Sequence, residues 1–472
     1  MRASSDDKNQ LKIDSIPVDS VFADIILLKK MELVKESAAN VQEGIHHLSS
    51  ISYPLSEIQD LDPLMDLIKD ARYVLLGEST HGTHEFYIWR ARLTKRLIRE
   101  KNFSMVAVEG DWPDCYRINQ YVKKFPSSAV NAKAVLNQFK RWPTWMWANW
   151  ETMALMEWIR THNYDLPNAK KVGFYGLDVY SLWESMAALD EWCKHNQKET
   201  RKILQRVMDC FDPFSKKEGV SYAQATQVLS YSCEAEVQHL LKHLESRKTL
   251  DDAERENEFN MRQNALVSAN AEKYYRKMLQ GDVESWNIRD RHMAETINRL
   301  SDFHGENSKM VIWEHNSHIG DARATDMSKQ GMLNVGQLLK EQREKEGVIR
   351  IGFGTNTGTV TAASNWGGKM QTMNVPAARD GSWESLLHQS GAENKIIISS
   401  QLRRARIFRR PLDHRAIGVV YRPEQEHYGN YVPSILPERY EAFVYLDETS
   451  AIHPYPVNAD ATQMPETYPF GV

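Results

Sequence analysis

Val74-Leu-Leu-Gly-Glu-Ser-Thr-His-Gly-Thr-His-Glu85 is the stretch that decides how this chain is read. Tyr73 to Leu76 is an apolar run of the kind that fills a buried strand. The chain then turns through Gly77 and Gly82 and restarts as a helix with Phe86, Trp89, Leu93 and Leu97 on one stripe. Glu78, Ser79, Thr80 and His81 fall between, where α/β proteins place ligands, outside the carboxyl ends of the strands. Taken singly, these residues have structural explanations: Thr80 or Thr83 as a helix cap, Glu78 as the partner of an arginine. Recurrence along the chain is what points to a site.

Three further runs repeat the pattern: Met105-Val-Ala-Val-Glu-Gly-Asp111, Lys171-Val-Gly-Phe-Tyr-Gly-Leu-Asp178 and Met310-Val-Ile-Trp-Glu-His-Asn-Ser-His318. Short apolar strands that end in Glu or Asp and are separated by helical sequence predict a largely parallel central sheet flanked by helices. Aligned strand ends would bring Glu78, His81, Glu109, Asp178, Glu314, His315 and His318 into one crevice. Runs at Val348, Ile417 and Glu441 are expected to extend the sheet, with the glycines of Gly352–Gly358 in a β-turn-β. Residues 181–307, rich in Glu, Lys, Gln and Ala with few Gly or Pro, predict a helical lobe inserted between the third and fourth strands. The expected organisation is therefore an extension over 1–50, partly helical after a frayed start, an α/β core over 51–180 and 308–455, the lobe, and a tail over 456–472.

Composition narrows the function. The 472 residues are 42% hydrophobic and 26% charged with a formal net charge of −4, so nothing points globally to nucleic acid or an anionic membrane. No apolar run approaches the ~20 residues of a membrane-spanning helix. Cys115, Cys193, Cys210 and Cys233 form no C-x-x-C pair, and their irregular spacing predicts free thiols and a cytoplasmic protein. The expected partner is a small molecule, with the chain a monomer or weak homo-oligomer.

There is no G-x-S-x-G nucleophile elbow, phosphate-binding loop, dinucleotide fingerprint or HExxH motif. What remains is two histidine pairs, His81/His84 and His315/His318, with acids nearby. Acid–base histidines and metal-ligating histidines need the same neighbours. Neither pair has helical i, i+4 spacing, which favours acid–base chemistry, with no metal and no cofactor. Arg90, two helical turns past His81, can reach back to Glu78 or Glu109, or offer its donors to an oxyanion. Trp145 and Trp147, in the aromatic run Arg141–Trp150, either line a cleft for a bulky ligand or pack over the sheet.

Five motifs, in order, carry a resemblance: Gly77-Glu-Ser-Thr-His-Gly-Thr-His-Glu-Phe-Tyr87, Ala107-Val-Glu-Gly-Asp-Trp-Pro-Asp114, Pro143-Thr-Trp-Met-Trp147, Arg289-Asp-x-His-Met-Ala-Glu295 and Glu314-His-Asn-Ser-His318. They resemble the erythromycin esterase family from about Tyr53 to Pro454. The resemblance implies an α/β sheet with helical lobes around a deep cleft. It also implies hydrolysis of carboxylic esters or lactones, macrolide antibiotics among them, without a serine nucleophile or metal. It places the catalytic base at His81, with Glu78, Arg90, Glu109, His315 and His318 at the other required positions. Trp112, Trp145, Trp147, Asp178, Arg289 and His292 are the candidate substrate-binding residues. The resemblance reaches the chemistry, not the substrate. Two alternatives stay beside it: a metal-dependent hydrolase using the same His/Glu cluster, and a non-enzymatic binder of haem or another ligand.

Overall fold

A computed structural model describes residues 38–194, 197–214, 218–229, 231–247 and 254–460. The frayed start expected for residues 1–20, the helical periodicity over 21–37 and the tail beyond 460 lie outside the described residues.

The strands are β1 (Tyr53–Pro54), β2 (Tyr73–Leu76), β3 (Met105–Asp111), β4 (Gly173–Asp178), β5 (Met310–Trp313), β6 (Val348–Ala362), β7 (Gln371–Val375), β8 (Lys395–Ile398), β9 (Leu412–Arg415), β10 (Tyr431–Ser434) and β11 (Ala442–Thr449). Nine form one sheet in the order β1-β8-β11-β6-β2-β5-β3-β4, with β7 also on β6; β9 and β10 make a separate pair. From β11 to β4 every neighbouring pair is parallel, while β8 and β7 join antiparallel at the periphery. The sheet is thus mixed but largely parallel, with helices on both faces.

Side chains alternate across a strand, so each strand feeds two cores. Val74 and Leu76, Val106 and Val108, Val311 and Trp313 join the cluster that holds Phe86, Leu93 and Leu97 of the His84–Lys101 helix. Tyr73 and Leu75, Met105 and Ala107, Met310 and Ile312 join the opposite cluster, with Met293, Ile297 and Leu300 of the Asp282–His304 helix. Burial on both faces explains why these runs read as continuously apolar. Between β4 and β5 the described residues are helical, and a third cluster centred on Leu204, Leu240, Leu266 and Tyr275 packs these helices together.

Three expectations are corrected. Ile417–Tyr421 forms no strand; its backbone makes isolated bridges, Thr80 to Ile417 and Ala363 to Val420, while Ile417 and Tyr421 pack on Val360, Ala362 and Val375. Gly352–Gly358 contains no turn: β6 runs unbroken for 15 residues, and β11 pairs along it from Ile351 to Gly358. Two of the cysteines are not free thiols: Cys210 and Cys233 form a disulfide that ties the end of the Lys198–Phe211 helix to the start of the Glu234–Ser246 helix. Cys115 and Cys193 are buried and belong to no disulfide. Among the described residues no helix is long and apolar enough to cross a membrane.

Candidate active site

Sheet order sets the site. β2, β5, β3 and β4 are consecutive neighbours, so the residues that follow or end them (Glu78, Glu314, Glu109 and Asp178) emerge side by side. The turn after β2 depends on close packing at two glycines. A Cβ on Gly77 would lie 2.0 Å from Asn316 Oδ1, and one on Gly82 would lie 1.9 Å from the Thr361 carbonyl oxygen. Those contacts seat the loop between them, and with it His81.

His81 is fully buried, and its Nδ1 lies 3.0 Å from Glu78 Oε1. The other carboxylate oxygen of Glu78 accepts from Arg90 Nη2 at 2.5 Å. Arg90 is itself buried, its guanidinium 4.5 Å from the Tyr87 ring and 4.6 Å from the Trp313 ring, two rings set edge to face. Because a carboxylate only accepts, it draws the imidazole proton to Nδ1 and leaves Nε2 with a lone pair. That Nε2 has no hydrogen-bond partner within the protein.

Facing it is His315, with ring centroids 5.0 Å apart. His315 Nδ1 accepts from the Ser317 backbone N–H and lies 2.9 Å from Ser317 Oγ. Its proton therefore sits on Nε2, which also lacks a partner. Burial, reinforced by the neighbouring His81, keeps His315 well below the ordinary histidine pKa, hence neutral. The pair presents one ring as acceptor and the other as donor.

A charged network lies behind them. Arg289 donates to Glu109 Oε1 at 2.6 Å and to both oxygens of Asp178 at 3.0 and 2.7 Å. Glu109 Oε2 accepts from the His315 backbone N–H at 2.8 Å. Burial alone would raise Glu109, but His318, Arg289 and His81 outweigh it and hold the carboxyl well below the usual carboxylate range. His318 stacks on Trp286, with centroids 4.6 Å apart, and directs Nδ1 to the Asp290 carboxylate at 2.9 Å. Its Nε2 has two neighbours that require opposite protonation states: Arg289 Nη1 at 2.9 Å, which needs a lone pair there, and Glu109 Oε1 at 3.6 Å, which needs a proton. Burial opposes the charge, but Asp290 and Glu109 together raise this ring above the ordinary histidine value and favour the imidazolium.

Glu314 differs from the other acids. Both of its oxygens are buried without a hydrogen-bond partner, and burial, then repulsion from Glu109 and Asp290, pushes its pKa well above the carboxylate range. That environment favours its neutral, protonated form.

Not every predicted residue meets this centre. Trp112 stacks between Tyr116 and Tyr175 and donates to Asn260. Trp147 donates to the Glu109 carbonyl at 2.8 Å, and Trp145 is buried in the same core. Trp112 packs in the core on one face of the sheet and Trp145 and Trp147 in the core on the other, the packing alternative open for the Arg141–Trp150 run. His292 points to Asn270, and burial lowers its pKa to about 4. His84 turns away from His81 toward Glu151. Sequence reasoning gave Asp290 no role, although it stands in the Arg289-Asp-x-His motif. Among the described residues, no three ligand atoms of the His81, His315 and His318 cluster come within mutual metal-binding distance.

The family model for erythromycin esterase matches residues 98–449. The chain belongs to the erythromycin esterase family. The match begins after the His81 motif. Erythromycin esterase type II of Escherichia coli is 21% identical over 388 residues, 74% of this chain and 85% of that protein. YbfO of Bacillus subtilis (strain 168), whose name assigns it provisionally to the hydrolases, is 22% identical over 409 residues, 82% of this chain and 86% of that one. Among solved structures, a succinoglycan biosynthesis protein superposes with a TM-score of 0.71 at 22% identity, covering 89% of this chain and all of that one. A histidine-to-asparagine variant of the erythromycin esterase EreC, in its open conformation, gives 0.61 at 17% identity, covering 85% of this chain and 97% of that one. These structures establish the shared α/β fold, and the family with its relatives supports a hydrolase.

Proposed function

We propose that the chain hydrolyses a carboxylic ester or lactone, with His81 as the general base that takes a proton from water. One observation carries the reading: His81 is held through Nδ1 by Glu78, with Nε2 unpartnered beside His315. In this scheme Arg90 fixes Glu78, and Glu78 fixes the tautomer of His81 and stabilises its cation. The activated water adds to the acyl carbon. The neutral His315 offers its Nε2–H to the oxyanion, a donor already aimed before charge develops. As the acyl–oxygen bond breaks, the leaving alkoxide takes a proton and departs as the alcohol; the His81 cation and the Glu314 acid are the available proton sources. Arg289, Glu109, Asp178, His318 and Asp290 hold the two rings and their charges in place.

The residues of this centre are sealed from solvent in this structure, so turnover requires an opening step. The relative EreC is described in an open conformation, which supports a family able to open and close. The substrate class is tested by a panel of aryl esters, aliphatic esters and lactones, macrolides included, with products followed by mass spectrometry. Gain of one water by at least one member supports the reading. Inertness toward every member by folded protein contradicts it.

A further inference from the structure

Three segments far apart in sequence meet at His84, Glu151 and His453. His84 opens the His84–Lys101 helix, Glu151 lies in the first turn of the Trp150–His162 helix, and His453 follows β11. Both imidazoles direct Nδ1 at the same oxygen, Glu151 Oε1, at 2.5 Å from His84 and 2.6 Å from His453. Their rings meet edge to face with centroids 4.8 Å apart, and one ligand atom from each of the three residues lies within 4.8 Å of the others. The Glu151 side chain is only 3% exposed, and its second oxygen, Oε2, has no partner. The His453 backbone N–H also donates to Oε1, at 3.3 Å; a buried carboxylate that crowds three groups onto one oxygen and leaves the other unused is poorly satisfied by its protein neighbours alone.

We propose that His84, Glu151 and His453 bind a divalent cation, Zn2+ by the chemistry of the set. Two imidazoles and one carboxylate, with a remaining position for water, is a zinc ligand set. Magnesium and calcium prefer oxygen donors throughout. At zinc–ligand distances of about 2.0–2.2 Å, tetrahedral ligand atoms stand roughly 3.3–3.5 Å apart, so small side-chain shifts seat the ion. Coordination through Nδ1 moves each imidazole proton to Nε2. His453, 62% exposed, leaves a path for entry and room for a water ligand.

The backbone already holds the three ligands in register. His84 N–H donates to the Ser450 carbonyl at 2.8 Å, Ile452 N–H to the Gly82 carbonyl at 2.9 Å, and Trp150 N–H to the His453 carbonyl at 3.0 Å. Little ordering remains to be done when the ion arrives. The ion would staple the loop after β2, which carries His81, to the segment that follows β11. No ligand is shared with the His81–His315 centre, and the site stands whether or not that centre hydrolyses esters.

The test uses the untagged full-length chain, stripped with chelator and dialysed, then titrated with ZnCl2 by calorimetry and with Co2+ by visible absorption. The site predicts one equivalent of Zn2+ and the intense visible bands of low-coordinate Co2+. It predicts binding weakened about 100-fold or more in Glu151→Gln and in His453→Ala, the latter at an exposed position that folding tolerates. His81→Ala should bind as the wild type does. No stoichiometric uptake overturns the proposal. So do unchanged affinity in both ligand variants, weak octahedral Co2+ bands, or loss of binding in His81→Ala in place of His453→Ala.

Discussion

Replacing Glu78 by glutamine tests the core of the site with a change of almost no volume. Glu78 accepts from His81 through one oxygen and from Arg90 through the other. An amide has one accepting oxygen and one donating NH2 group, so it cannot serve both. Arg90 is buried and permanently charged, and claims the oxygen. The NH2 then faces His81 Nδ1, forces the proton onto Nε2 and removes the lone pair that would take a proton from water. The loss in kcat is then about 10³–10⁴-fold, the scale seen when a catalytic histidine is held in the wrong tautomer. Leaving the Arg90 charge uncompensated costs about 3–5 kcal/mol of stability. Turnover of an activated aryl ester and urea unfolding measure the two effects. Adding Arg90→Met to Glu78→Gln should recover much of the stability, and it frees the amide oxygen to accept from His81 Nδ1 again. A Glu78→Gln enzyme within threefold of wild-type kcat/KM would refute the reasoning.

Three other outcomes follow from the buried charges and the disulfide. Because the folded pKa of Glu314 is raised, its contribution to stability is present below the unfolded value near 4.5. It falls by about 1.4 kcal/mol per pH unit as pH rises toward the folded pKa. Glu314→Gln lacks this slope, so its stability relative to wild type should climb between pH 5 and pH 8, as urea titrations at several pH values can measure; a constant difference contradicts a neutral Glu314. Arg289→Met strands Glu109 and Asp178 as buried anions, costing about 3–5 kcal/mol near pH 7. That deficit should shrink toward pH 4 as Glu109, without its guanidinium partner, takes up a proton, a trend thermal unfolding across this range would reveal. Opening the Cys210–Cys233 link, whose ends are separated by 23 positions in sequence, should cost on the order of 3 kcal/mol by loop entropy. The loss, followed by urea unfolding with and without reductant, should be absent from a Cys210→Ala/Cys233→Ala double variant.

The strand ends were legible because parallel strands covered on both faces must be apolar throughout. An acid at the point of exit, as at Glu78, Glu109, Asp178 and Glu314, therefore stands out against the run before it. Adjacency of those strands places these acids together, and His81, His315 and His318 follow from the same turns. Asp290 escaped because it lies on a helix, where an occasional acid is ordinary and only tertiary packing shows that this one faces His318. The disulfide escaped because spacing cannot show which cysteines a helical hairpin brings together. Gly352–Gly358 misled because glycines usually mark turns, while in β6 they admit Tyr440 and Phe443 against the strand, where a Cβ would clash within 3 Å. Lys395–Ile398 was too short to separate from its surroundings and becomes a strand through its neighbour β11.

Parallel strands deliver acids to one edge, two turns deliver histidines, and one helix delivers the counter-charge; together they create an imidazole poised to accept a proton. The direct test is kcat/KM of His81→Ala against wild type on an activated aryl ester, with circular dichroism verifying that both are folded. The account predicts a loss of at least about 10²-fold, the lower bound of general-base assistance. Turnover by His81→Ala close to the wild-type rate would contradict it.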